Sequence, residues 1–428
     1  MLFLLISTIS IFAVVLGRVM MGRWLNHLSL YSAGFGLSLS AYATGLIEYH
    51  PISTESWVVI CAAAFSLFLG SAAVLFTSQP TDSKPCPAQS SARLTLIIAL
   101  LSTLSLISLV LQAHEIAKEF GGLFIGIIEN SNRIYSMRMR GALAGEPYLL
   151  FFSYSATALA GAYTAARGRL TVTALFPVVV SGLSGLLSMQ RTGFVISVVL
   201  FIFSLTFAPR PRGFQISRGL AVTAVVITIV TGAAFLLVGS QRGMYRTFQG
   251  QTPALTEIGK HWADFPAHFI YISSPGPTLT QYLEHPELAP KGLFASYTLQ
   301  SVYRLLSKVG FETNVPYYPP FVHSPVEANQ GTYLAYIYSD FGGIGVVLVP
   351  FFVGAFVTVL ARRIDRSPRL AEVMLYAHLM LCVTFAFAWN IVSATFFLAS
   401  MVISIGAGMY LDRFPRKSDV ESVGIALA

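Results

Sequence analysis

The chain has 428 residues, of which 55% are hydrophobic and 11% charged, with a mean hydropathy of +0.68. Soluble domains average about 25% charged residues, so this composition excludes an ordinary soluble fold and leaves little chain for a separate soluble domain. The net charge of +8 is dispersed over short connecting segments instead of forming one stripe, which argues against nucleic acid and reads as membrane topology.

A helix needs about 20 apolar residues to cross the hydrocarbon core. Apolar runs at 2–17, 28–47, 57–77, 94–113, 148–166, 170–189, 194–208, 219–239, 338–361, 370–389 and 391–411 predict eleven transmembrane helices. No charge precedes the first run, and Arg18 and Arg23 follow it, the reverse of a secretory signal. It reads as a retained span with its N-terminus outside. On that reading the short inner segments hold most of the 27 basic residues, among them Arg93, Arg167, Arg169, Arg362, Arg363 and Arg413. The positive-inside rule then gives N-terminus out and C-terminus in. We expect one all-α integral membrane domain over 1–428. Cys61, Cys86 and Cys382 are too few and scattered for a disulfide framework or a metal site.

The outer segments are longer and mixed in charge. The first covers 114–147, where Arg133, Arg138 and Arg140 read mainly as solvated charge. A tight connection, Gln190-Arg191-Thr192-Gly193, puts Arg191 at the membrane surface, either as a turn charge or as a contact for an anion. The largest, 240–332, is too long to be structureless in a compact protein. Within it Phe294, Tyr297, Val302, Leu305, Leu306 and Val309 recur at helical spacing, which predicts an amphipathic helix lying against the outer bilayer surface. Arg304 and Lys308 share a face of that helix.

Gln241-Arg242-Gly243-Met244-Tyr245-Arg246 follows the eighth span, so a continuing helix would bring Arg242 and Arg246 onto one face as a fork for phosphate oxygens. Interfacial anchoring is the alternative. Outer candidates for proton transfer are His261, His268, His285, His323, Glu327 and Asp340. The densest polar cluster runs from His323 through Glu327, Asn329 and Thr332 to Tyr338, Ser339 and Asp340 at the start of the ninth span. A helix cap and an aromatic belt explain the tyrosines but not Glu327, Asn329 and Asp340 together. The numerous loop aromatics could stack on sugar faces, but amphipathic rings seated at the interface are the default expectation, so alone they decide little. There is no P-loop, GxSxG elbow, HExxH, EF-hand or Asp-x-Asp pair, which argues against a nucleotide-driven activity.

Gln190-Arg191-Thr192-Gly193 between spans, Gln241-Arg242-Gly243 after the eighth, and Asn329-x-x-Thr332 running into Tyr338-Ser339-Asp340-Phe341-Gly342 carry a resemblance. With the loop order, they resemble the Wzy-type polymerases that join oligosaccharide repeat units of O-antigen or capsule. The resemblance implies a GT-C-like glycosyltransferase of the bacterial inner membrane, with no metal and no other cofactor. It would transfer a growing glycan from one undecaprenyl-diphosphate carrier to the repeat unit on another at the periplasmic face, inverting the anomeric centre. A chain-length regulator and a flippase are its implied partners, together with membrane lipid. In such a reaction Arg191, Arg242, Arg246 and Arg304 would stabilise the diphosphate leaving group. Glu327 or His323, with Asp340 as third choice, would deprotonate the acceptor hydroxyl. Asn329, Thr332 and Tyr338 would bind the acceptor sugar. An O-antigen ligase, handing the glycan to lipid A core, fits the same features. A transporter of lipid-linked oligosaccharide fits less well, because the span interiors are nearly free of charge apart from His378.

Overall fold

The computed structural model describes residues 1–77, 91–139, 149–189, 191–209, 222, 248–262, 265–288, 294–311, 320–329 and 331–413. Helices lie over every predicted span except 219–239, of which all but Val222 falls outside the described residues. Five of them, Leu2–Met21, Thr54–Thr77, Ala92–Phe120, Tyr333–Arg366 and Thr395–Arg413, are long and apolar enough to cross a membrane. Large apolar side chains point away from the packed interior on each, including Phe12, Phe65, Leu96, Phe352 and Val402. Water penalises such outward apolar surface by about 25 cal/mol per Å², so it suits a lipid surrounding. The protein is helical and built for a membrane.

The chain divides into two compact units. The first comprises Met1–Pro80, Gly243–Val359 and Cys382–Thr395. Here Gly22, at φ 72°, ends helix Leu2–Met21, and Asn26 caps helix His27–Ala43 by accepting the Ser29 N–H at 2.9 Å. The two helices pack closely because Gly17 lies against Ser29 and Gly36 against Ser10. Helices Thr54–Thr77 and Tyr333–Arg366 touch backbone to backbone: a Cβ at Gly70 would strike the Phe351 carbonyl, and one at Gly354 the Leu67 carbonyl. Small residues drive such contacts where lipid removes the hydrophobic incentive. Beside this contact the buried His27 Nε2 lies 2.9 Å from Ser71 Oγ and 3.2 Å from Thr358 Oγ1.

At one end of this unit, helices Phe265–Ser273 and Pro275–Glu284 form a layer over the chain that joins His27–Ala43 to Thr54–Thr77. Tyr49 and Ser273 share a hydroxyl hydrogen bond at 2.9 Å, as do Ser56 and Thr280. Helix Pro253–His261 joins the layer, with Thr252 as N-cap and Pro253 at its first position. Thr252 also donates to the Leu46 carbonyl at 2.8 Å.

The second unit comprises Thr81–Arg242, Leu360–Leu381 and Phe396–Ala428. Helices Ser91–Phe120, Leu150–Arg167, Val172–Leu187 and Arg191–Phe207 pack through serine and glycine. Gly161 leaves no room for a Cβ against the Phe201 carbonyl, and Ser184 donates to Gln112 Oε1 at 3.2 Å. His378 is wholly buried; its Nδ1–H donates to the Met374 carbonyl at 2.7 Å, so its Nε2 accepts from Ser400 at 3.2 Å. The Asp412 carboxylate accepts the Leu370 and Ala371 N–H groups at 3.0 and 3.1 Å, capping helix Leu370–Phe385.

Two predicted elements differ in detail. The amphipathic helix expected from Phe294 to Val309 is confined to Gln300–Lys308. Ala295 adopts φ 54° in the turn before it, a left-handed conformation that no helix continues through. Helix Tyr333–Arg366 starts before the predicted 338 and is broken at Gly342, whose φ 61° and ψ −157° are open only to glycine. The segment Tyr333–Phe341 is thus a separate short helix ahead of the apolar one.

Candidate functional site

The strands Val322–His323 and Glu327–Ala328 form an antiparallel hairpin in which His323 stands opposite Glu327 and Val322 opposite Ala328. Ser324-Pro325-Val326 makes the turn, with the Ser324 N–H donating to the Val326 carbonyl at 3.2 Å. Successive strand side chains face opposite ways. Val322 and Ala328 are therefore buried while His323 and Glu327 are exposed on one face. Val322 packs in the main core of the first unit with Tyr282, Tyr297 and Leu334, and Val326 packs with Ile47, Leu255 and Phe269. The hairpin is therefore pinned from two sides. An imidazole opposite a carboxylate on an anchored, solvent-facing hairpin is an arrangement suited to moving a proton.

Asn329, half-buried, continues from the hairpin. Thr332 is buried, and its Oγ1 accepts the Leu334 N–H at 3.2 Å, so its side chain caps the following helix. Tyr333 and Tyr31 share a hydroxyl hydrogen bond at 3.2 Å. One turn along that helix, Tyr338 donates its hydroxyl to Glu55 Oε1 at 2.6 Å. Asp340 has a different task. Its Oδ1 accepts the Tyr297 N–H at 3.1 Å and its Oδ2 the Thr298 N–H at 2.6 Å, so both oxygens grip the turn ahead of helix Gln300–Lys308.

Three loop tyrosines hold backbone carbonyls. Tyr282 donates to Pro320 at 2.7 Å, Tyr297 to Leu288 at 2.7 Å and Tyr303 to Phe294 at 2.6 Å. Burial, and then the neighbouring Asp340 carboxylate, push the Tyr297 phenol up to about 12. It stays a donor at any physiological pH. These rings knit the loop together, a use that composition alone does not distinguish from sugar stacking.

The arginines are distributed between the units. Arg191 opens helix Arg191–Phe207 in the second unit, directly after a turn in which Met189 takes φ 52°. Arg304 lies half-buried on helix Gln300–Lys308 in the first unit, within electrostatic reach of Tyr336. Arg242 and Arg246 fall outside the described residues. Arg133 meets the reading of solvated charge: it pairs with Glu119 at 2.7 Å and lies over the Phe120 ring at 5.3 Å. His261 lies 3.7 Å from Glu257 and His285 3.0 Å from Glu287, both exposed local pairs.

The structure thus brings His323 to Glu327, Tyr338 to Glu55, and Asp340 to residues 297 and 298, all within the first unit. Glu55 escapes a sequence reading because an acidic residue in the first turn of a helix ordinarily just complements the helix dipole. Its nearness to the ninth predicted span in space was the missing signal. Comparison of the chain with protein-family models, curated proteins and solved structures finds no match.

Proposed function

We propose that the protein is a membrane glycosyltransferase that polymerises undecaprenyl-diphosphate-linked oligosaccharide repeat units at the periplasmic face of the bacterial inner membrane. The observation that supports this reading is the opposed, exposed pair His323 and Glu327 on an anchored hairpin, a few residues from the start of a long apolar helix. The motifs that resemble the Wzy-type polymerases supply the substrate class.

In this reading an acceptor hydroxyl attacks the anomeric carbon from the face opposite the diphosphate and passes its proton to His323, with Glu327 orienting the imidazole. The bond from that carbon to the diphosphate oxygen breaks, the lipid diphosphate leaves, and the centre inverts. Negative charge grows on the leaving group, and Arg304, in the same unit as His323 and Glu327, is the candidate to meet it. Holding both lipid-linked ends at the bilayer surface supplies much of the remaining acceleration.

The test adds the purified full chain to undecaprenyl-diphosphate repeat units in the presence of EDTA and separates the products on a gel. A ladder is expected, and His323→Ala and Glu327→Gln should each slow its growth by about 10²- to 10⁴-fold, the usual contribution of a general base. No ladder from repeat units shown to be good substrates for another polymerase would overturn the reading.

A further inference from the structure

Helix Gln300–Lys308 and its flanks carry an apolar surface that the unit's core leaves uncovered. Phe294 is 79% exposed, Val309 71%, Phe311 62% and Leu305 43%. They are brought together by the fold. Gly310, at φ 96°, turns the chain back so that the Phe311 N–H reaches the Leu306 carbonyl at 3.2 Å, and Tyr303 holds the Phe294 carbonyl. The Phe294 ring meets Phe341 edge-on with centroids 5.5 Å apart. Phe341 directly precedes Gly342, and after it the exposed residues Ile344, Val347, Leu348 and Phe352 form the outward apolar stripe of the membrane-length helix. The loop surface therefore continues a lipid-facing stripe. Its attachment is rigid: besides the two bonds to Asp340, Asn390 Nδ2 donates to the Thr298 carbonyl at 3.3 Å and Ser301 Oγ to the Val392 carbonyl at 2.9 Å.

We propose that this surface is a lipid-docking wedge, seated in the boundary between headgroups and acyl chains of the adjoining leaflet, and that Asp340 is the clamp that sets its position. A bilayer suits it because the exposed Phe294, Leu305, Val309 and Phe311 form an apolar surface that runs on from the outward stripe of a membrane-length helix, so the same hydrocarbon can cover both. The proposal stands independently of the enzymatic reading.

The full chain, with Cys61 and Cys86 replaced by serine and Cys382 by alanine, is reconstituted in nanodiscs with a nitroxide label on Leu306→Cys, Val309→Cys or Phe311→Cys. Collisions with oxygen, which partitions into lipid, are compared with those of a water-soluble nickel chelate. The ratio is expected to be several-fold higher at these positions than at Glu257→Cys, on the exposed helix Pro253–His261. A ratio matching that at 257 would mean water covers the surface, and low access to both reagents would mean a second protein copy does; either overturns the wedge. Asp340→Ala should lower the ratio at 306, as should the milder Asp340→Asn to a lesser degree. An unchanged ratio in both would remove Asp340 from the role of clamp.

Discussion

Asp340 lies two positions beyond Tyr338, and its spacing alone gives no reason to separate it from His323 and Glu327 as a proton acceptor. The geometry separates them: a carboxylate whose two oxygens each accept a backbone N–H is committed to holding a turn, whereas His323 and Glu327 face solvent. The same carboxylate acts on Tyr297, whose phenol burial and Asp340 together raise to about 12. An unfolded tyrosine titrates near 10. The raised value means the folded state favours the neutral phenol, so its contribution is complete below about pH 10 and is lost as pH rises toward about 12. Tyr297→Phe removes the donor to Leu288 and should cost about 1 kcal/mol at pH 7 while making the alkaline loss of stability shallower. Thermal unfolding in detergent at pH 7 and pH 11 checks both parts; an identical alkaline loss in parent and variant would sink the assignment.

Among elements, the break at Gly342 carries the most consequence. It ends the short helix that presents Tyr338 and Asp340 and lets the apolar helix start in a new direction. Gly342→Val should cost about 1–3 kcal/mol, because a side chain is strained at φ 61°, ψ −157° although nothing lies within 4 Å of the site. Unfolding of the purified variant measures it, and a variant as stable as the parent would show the break to be dispensable. The amphipathic element makes the converse point. Hydrophobic spacing reads straight through Phe294 to Val309, yet Ala295 in a left-handed conformation and the capture of Tyr297 and Thr298 by Asp340 halt the helix at Gln300. Periodicity reports local preference and has no view of a carboxylate more than forty residues downstream.

For the whole molecule, the orientation we propose rests on where basic residues fall between apolar runs, and it is open to direct test. With the hairpin on the periplasmic side, Glu327→Cys in spheroplasts should react with a membrane-impermeant maleimide, while Cys86, in a predicted inner segment, should react only after permeabilisation. The opposite pattern would reverse the proposed topology.

That the chain is helical, with apolar helices suited to a membrane, was legible in the residues themselves, whereas the short helices Pro253–His261, Phe265–Ser273 and Pro275–Glu284 inside the large loop were not. Apolar content and run length are local properties, and lipid demands that each span satisfy its own backbone. The short connection expected at 190–193 is shorter still, because helix Arg191–Phe207 already takes in residues 191–193. The pairing of Tyr338 with Glu55 was not legible, because it joins helices far apart in the chain. Nor was the choice between Asp340 as base and Asp340 as clamp, or the collection of Phe294, Leu306 and Phe311 into one surface. Hydrogen bonds and ring contacts between distant segments depend on where the backbone brings two groups, and only the folded chain decides that.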